Sequence, residues 1–277
     1  MLHQTEIICT FAATFTTMEA MFYIDTHTHL YDEAFRGEED AAVRRALEAG
    51  VSKMILPDID SVSRDGMFAL AERHPGHLYP CLGLHPTSVG EDWRDAVRHM
   101  EQYLDRRIYA IGETGMDCYW SREFVEEQKK ALEYQIRLAC RLGLPLIIHS
   151  REATGLIFDV LDKCRGLEMR GTFHAFSGSL ETFGRLQKYG DWYVGIGGVL
   201  TYKNASIAET VKHIPLSRIL LETDSPYLTP VPKRGTRNES GYIPYIAGRL
   251  SEIKGTDIEE VAAVTTENAI KLFSLYD

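Results

Sequence analysis

Short apolar runs rich in strand-forming residues alternate with longer segments of helical periodicity, and this alternation constrains the fold more than any other feature. The runs are Phe22–His27, Lys53–Pro57, Leu78–Leu84, Tyr109–Glu113, Pro145–His149, Gly171–His174, Trp192–Ile196 and Arg218–Asp224. Between them, residues 38–49, 64–73, 93–104, 123–142, 155–164, 180–188 and 205–213 carry apolar side chains three and four apart. Strands that are apolar almost throughout are buried on both faces, as in a parallel sheet covered by helices. Eight of them predict an α/β fold, a (β/α)8 TIM barrel, and Ile258–Phe273 predicts an additional C-terminal helix covering it. An open doubly wound sheet would place G-x-G-x-x-G after its first strand, where this chain has His27-Thr28-His29. The pattern starts at Met21, so residues 21–277 read as one domain and residues 1–20 as an N-terminal extension outside the fold.

A length of 277 residues suits one barrel of this kind. The formal charge of −10 argues against broad electrostatic binding to duplex DNA, while leaving room for a nucleic acid held at a small basic site. Five scattered cysteines without a C-x-x-C pair suggest reduced thiols and a cytoplasmic location. No run reaches the length of a membrane span, so no membrane partner is expected.

Active sites of such barrels lie at the C-terminal ends of the strands. Those ends carry His27 and His29, then His85, Glu113, His149, His174 and Asp224. Successive side chains of a strand alternate faces, so His27 and His29 point the same way and can grip one ion. A single polar residue at such a position is more often a satisfied core group. Seven on one rim call for a common cause, because burying them unpaired is costly. Histidines and carboxylates together make a donor inventory for two divalent ions, with a carboxylate bridging ions about 4 Å apart.

Five stretches make the pattern specific: Ile24-Asp25-Thr26-His27-Thr28-His29, Ala110-Ile111-Gly112-Glu113-Thr114-Gly115-Met116-Asp117, Pro145 to Ala153, His174-Ala175-Phe176-Ser177-Gly178, and Leu221-Glu222-Thr223-Asp224-Ser225-Pro226-Tyr227-Leu228. Together with Gly83-Leu84-His85-Pro86 and Arg234 to Glu239, they resemble the TatD-type metal-dependent deoxyribonucleases, amidohydrolase-like barrel enzymes, from about Met21 to Phe273. The resemblance implies that His27, His29 and Asp224 hold one ion, that His149 and His174 hold the second, and that Glu113 bridges. It further implies two divalent cations (Mg, Mn or Zn) and 3′–5′ exonuclease action on single-stranded DNA by metal-activated water, with Asp224 as general base beside Glu113. Three positions depart from the family's usual pattern: Tyr31, where Asp or Asn is common, Gly155, where an acid is common, and Ser240, often Pro. They bear on substrate preference, since none removes a proposed ligand.

His85, Arg151 and the loop cations Lys233, Arg234 and Arg237 are candidate substrate contacts, because guanidinium and ammonium groups match phosphate. Tyr119, Trp120, Phe176, Tyr202 and Tyr227 could stack on bases. Glu222, two residues before Asp224, reads as an orienting partner for a ligand histidine. The rival enzyme readings are a D-aminoacyl-tRNA deacylase or a hydrolase of small phosphoesters or amides with the same metal site. A non-catalytic barrel scaffold, possible as a different class, would have shed ligands, and all six are present.

Overall fold

The structure, a computed structural model, describes residues 22–276. Its eight strands are β1 (Tyr23–Asp25), β2 (Val51–Leu56), β3 (Leu78–Pro80), β4 (Ile111–Asp117), β5 (Leu146–Arg151), β6 (Met169–Phe173), β7 (Gly190–Ile196) and β8 (Ile219–Leu221). They pair in parallel and in sequence order, β1 to β3 in one run and β4 to β8 in another. Single bridges join the runs at both seams, Leu82 with Ile111 and Thr28 with Ser225, so the sheet closes on itself. The helices are α1 (Glu39–Glu48), α2 (Arg64–Arg73), α3 (Trp93–Glu101), α4 (Val125–Leu142), α5 (Thr154–Lys163), α6 (Leu180–Leu186), α7 (Ile207–His213), α8 (Ile243–Lys254) and α9 (Ile258–Phe273). The chain is a TIM barrel with one helix beyond the eight that alternate with strands.

The period of two along the strands divides the core. Ile24, Ile55, Ile147, Tyr193 and Leu220 pack in one cluster with Ala269, Leu272 and Phe273 of α9, whereas their strand neighbours Tyr23, Met54, Leu56, Leu146, Ile148, Trp192 and Val194 join the larger cluster shared with the outer helices. Helix α9 thus covers the barrel interior, touching β1 and β8. The chemistry-bearing residues follow the strands' other, C-terminal ends.

Several elements differ from the sequence expectation: β1, β3 and β8 end sooner, at Asp25, Pro80 and Leu221, while β4, β5 and α8 go beyond it. Strand β4 continues past Glu113 to Asp117, and β5 past His149 to Arg151, because their ladder keeps pairing from Thr114 with Ile148 to Asp117 with Arg151. Helix α8 is an addition: its buried face, Ile243, Ile246, Ala247 and Leu250, has helical spacing, but the segment follows a loop that reads only as a run of cations. Residues 1–20, the expected extension, lie outside the described residues.

Candidate active site

Asp25 organises the start of the site. Its Oδ1 accepts the His27 and Thr223 N–H groups at 3.2 and 2.9 Å, and its Oδ2 accepts the Thr223 hydroxyl at 2.6 Å. Burial pushes this carboxyl up to about 7, against those hydrogen bonds. The exits of β1 and β8 are thereby tied together, and the Asp224 N–H donates to the His27 carbonyl at 2.8 Å.

Glu113, buried, stands at the centre. Its Oε2 lies 3.1 Å from His27 Nε2 and 3.8 Å from His29 Nε2. Its Oε1 lies 2.8 Å from His149 Nδ1, 3.4 Å from His85 Nε2 and 3.8 Å from His174 Nε2. Asp224 Oδ1 is 3.5, 3.8 and 3.9 Å from Nε2 of His29, His27 and His174. The six predicted ligands and His85 therefore converge. They form three overlapping donor groups: His27, His29 and Asp224; His27, Glu113 and His174; and His85, Glu113 and His149. His149 and His174 do not share a three-donor group; each meets Glu113 separately.

The far ring nitrogens decide which lone pairs face inward. The Tyr31 hydroxyl donates to the Pro57 carbonyl, so its oxygen can only accept from His29 Nδ1, 3.0 Å away. That places the proton on Nδ1 and turns the Nε2 lone pair toward His27 Nε2, 3.1 Å away, and Asp224. His149 Nε2 faces Asp117 Oδ2 at 3.0 Å, leaving Nδ1 toward Glu113. His174 Nδ1 meets Glu222 Oε1 at 3.0 Å, and the same oxygen accepts the Ala175 N–H at 2.6 Å. Glu222 rests against Gly195, where a Cβ would come within 1.9 Å of the carboxylate and would push it off its place beside His174. His27 Nδ1 is buried with no partner. Sequence reasoning passed over Asp117 and the Tyr31–His29 contact. Even spacing along one strand puts Asp117 on the face of Glu113, a signal that was present.

Charge differs across the cage. Burial, reinforced by His174, lowers His27 to about 4. Burial also opposes protonation of His149 and His174, but Asp117 and Glu113 raise His149 to about 9, and Glu222, Asp224 and Glu113 raise His174 to about 10. Burial alone would raise Glu113 and Asp224; the facing histidines outweigh it and hold Glu113 well below, and Asp224 below, the ordinary carboxylate values.

This constellation can be set against known proteins. The sequence pattern of the family described as "TatD related DNase" matches residues 24–274. The chain belongs to the TatD family. A TatD-family relative in Bacillus subtilis (strain 168), the uncharacterized metal-dependent hydrolase YabD, is 35% identical over 253 residues, covering 91% of this chain and 98% of that protein. The uncharacterized metal-dependent hydrolase YjjV of Escherichia coli (strain K12) is 34% identical over 257 residues, covering 91% and 98%. The crystal structure of YjjV, a TatD homolog from E. coli K12, superposes with a TM-score of 0.84 over 91% of this chain and 98% of that one, at 32% identity. A TatD-family hydrolase from Entamoeba histolytica shares the fold, with a TM-score of 0.78 at 22% identity over 93% and 99%. The protein is thus a TatD-family metal-dependent hydrolase.

The cage fits the divalent metal that TatD membership implies. Each donor group places three ligand atoms within 4.8 Å of one another, and imidazole with carboxylate suits zinc, manganese or iron. The cage lines a cavity of about 670 Å³, which Arg151 also lines. The Arg151 guanidinium lies 3.8 Å from the ring centre of Tyr119 and 5.3 Å from that of Trp120. The loop cations go different ways. Arg234 lines an adjoining cavity. Lys233 lies over Tyr242 and Tyr245, and Arg237 pairs with Glu38 and the Ala34 carbonyl above Phe35. The structure does not bring Lys233 or Arg237 to the cage. No helix among the described residues is long and apolar enough to cross a membrane.

Proposed function

We propose that this protein is a phosphodiesterase that removes nucleotides from the 3′ end of single-stranded DNA, using two divalent ions (Mg, Mn or Zn). The observation that carries the reading is the cage cavity itself, where converging ligands adjoin a cation, Arg151, mounted on the exposed aromatics Tyr119 and Trp120. Guanidinium groups match phosphate, and exposed rings stack on unpaired bases whatever their sequence. A chain of net charge −10 with so local a basic feature suits a single strand better than a long duplex.

When bound, divalent ions supply Lewis acidity, polarising the phosphoryl oxygen and acidifying water. His27, His29 and Asp224 would hold one ion, His149 and His174 the other, with Glu113 between them. Asp224, held ionised by its histidine neighbours, accepts the proton of the attacking water. Arg151 and His85, on the cavity wall, take the non-bridging phosphate oxygens. The free thiols Cys81, Cys118, Cys140 and Cys164 are consistent with a cytoplasmic setting.

The test uses metal-stripped protein with 3′-labelled and 5′-labelled single-stranded oligonucleotides and Mg²⁺, Mn²⁺ or Zn²⁺ added back separately. Mononucleotide release from the 3′ end, dependent on metal, is expected. Hydrolysis confined to aminoacyl-tRNA or small phosphoesters would overturn the DNA assignment.

A further inference from the structure

Beside the cage cavity lies a second cavity of about 550 Å³, and the two share Ala175, Ser177, Asp224 and Leu228. Its size falls in the roughly 300–1,000 Å³ range of small-molecule sites. The chemistry described above makes no use of it. Its far wall comes from the last residue of β7, Ile196, and the segment after it, with Val199, Leu200 and Tyr202, and Phe176 closes the near side. Lys203, Asn204 and Arg234 stand exposed at its rim.

The wall between the two cavities carries strain. Of the five non-glycine residues with left-handed backbone among the described residues, three belong to this shared wall: Ala175 (φ 42°), Asp224 (φ 55°) and Leu228 (φ 55°). L-residues adopt that conformation at a cost, which persists where the surrounding structure enforces it and concentrates at functional sites. The strained ridge holds Asp224 at the junction, so a substrate lying across it would present its scissile bond to Asp224 and one substituent to each cavity.

The lining defines the substituent. A long acyl chain would want apolar walls without cations, and a bare anion would want donors without apolar walls; this cavity has both kinds of lining. The Arg234 guanidinium lies 4.3 Å from the Tyr202 ring centre, and the Tyr202 hydroxyl is anchored on the Thr229 carbonyl at 3.1 Å. A held aromatic ring and a stacked guanidinium make a flat wall with hydrogen-bond donors at its edge, which suits a planar heterocycle bearing acceptor atoms. We infer that the second cavity is a nucleoside subsite, taking the base and sugar of the terminal nucleotide while its phosphate lies on the ridge beside Asp224. The identity of the occupant rests on the phosphodiesterase reading.

Calorimetric titration of the Mn²⁺-loaded protein with 2′-deoxyadenosine 5′-phosphate and with 2-deoxyribose 5-phosphate tests the subsite apart from turnover. The nucleotide is expected to bind at least about tenfold more tightly than the base-less phosphate, a gap of about 1.4 kcal/mol. Val199→Trp, which fills the cavity away from the cage, is expected to abolish that preference. Arg234→Gln, on the exposed rim, is expected to reduce it and guards against Val199→Trp failing to fold. Equal affinity for the two compounds in the unmodified protein, or a preference intact in either folded variant, would overturn the subsite. Absence of oligonucleotide hydrolysis with a retained base preference would instead overturn the phosphodiesterase reading alone.

Discussion

The two sides of the histidine cage are built from the same ligand types but held differently. On the β1 side, His29 leans on the neutral phenol of Tyr31, and His27 has no partner for its Nδ1. On the opposite side, His149 and His174 are each backed by a carboxylate, Asp117 and Glu222. The consequence is electrostatic. Burial lowers His27 on the first side to about 4, so it is neutral at physiological pH, while in the metal-free protein His149 and His174 on the second side are imidazolium groups with values of about 9 and 10. A cation must displace protons to enter there, and the carboxylates behind then make those imidazoles stronger ligands. One cage thus combines a half whose buried His27 is already neutral with a half whose occupancy depends on pH.

The largest effect is expected where the halves meet. Glu113→Gln removes the carboxylate both sides share, and hydrolysis should fall by roughly 10³-fold or more, the scale of losing a principal electrostatic group. Circular dichroism should show the fold unchanged. Activity near the original level would mean that Glu113 does not join the halves. Next come the backing carboxylates: Asp117→Asn and Glu222→Gln should each weaken metal binding by roughly 10–100-fold, read by competition with a chelating dye. If both left affinity intact, the contrast between the halves would lose its cause.

A smaller effect is expected from pH on the metal-free protein. His149 and His174 have folded-state values above the ordinary 6.5, so the folded chain holds protons that the unfolded chain releases. Their stabilisation is fully present below about pH 6.5 and is lost as pH rises through about 9 and 10. Asp25 and Asp58, raised to about 7 by burial, act in the same direction between pH 3.8 and 7. The melting temperature should therefore decline from pH 6.5 to 9, and Glu222→Gln should flatten that decline. A rise over the same interval would contradict the charge assignment. The smallest effect belongs to Tyr31→Phe, which deletes a neutral acceptor. It should release the His29 tautomer, visible in imidazole ¹⁵N shifts of the metal-free protein, and lower affinity at the first half by roughly tenfold. An unchanged tautomer would show that Pro57 and Tyr31 do not orient His29.

Much of this was legible in the sequence, for physical reasons. Period-two alternation and strand-end position locate His27, His29, His149, His174 and Asp224 because a closed parallel barrel gathers strand ends on one rim. What escaped depends on partners remote in sequence. Arg237 reads as one cation among three, and nothing local reveals that its guanidinium pairs with Glu38, 199 residues earlier. The buried pair of Arg64 and Asp58, 2.7 Å apart, with the Asp58 carbonyl accepting the Glu113 N–H, is equally silent in a helix start and a loop. The spacing from Glu113 to Asp117 is visible in the sequence, but whether β4 reaches that far depends on its ladder with β5.

The most direct measurement is anomalous diffraction from crystals soaked in Mn²⁺ or Zn²⁺ at pH 6 and at pH 8. The account predicts one peak among His27, His29 and Asp224 at both values, and a second beside His149 and His174 that gains occupancy at pH 8. Equal occupancy of the second position at both pH values, or no peak in the cage at either, would contradict it.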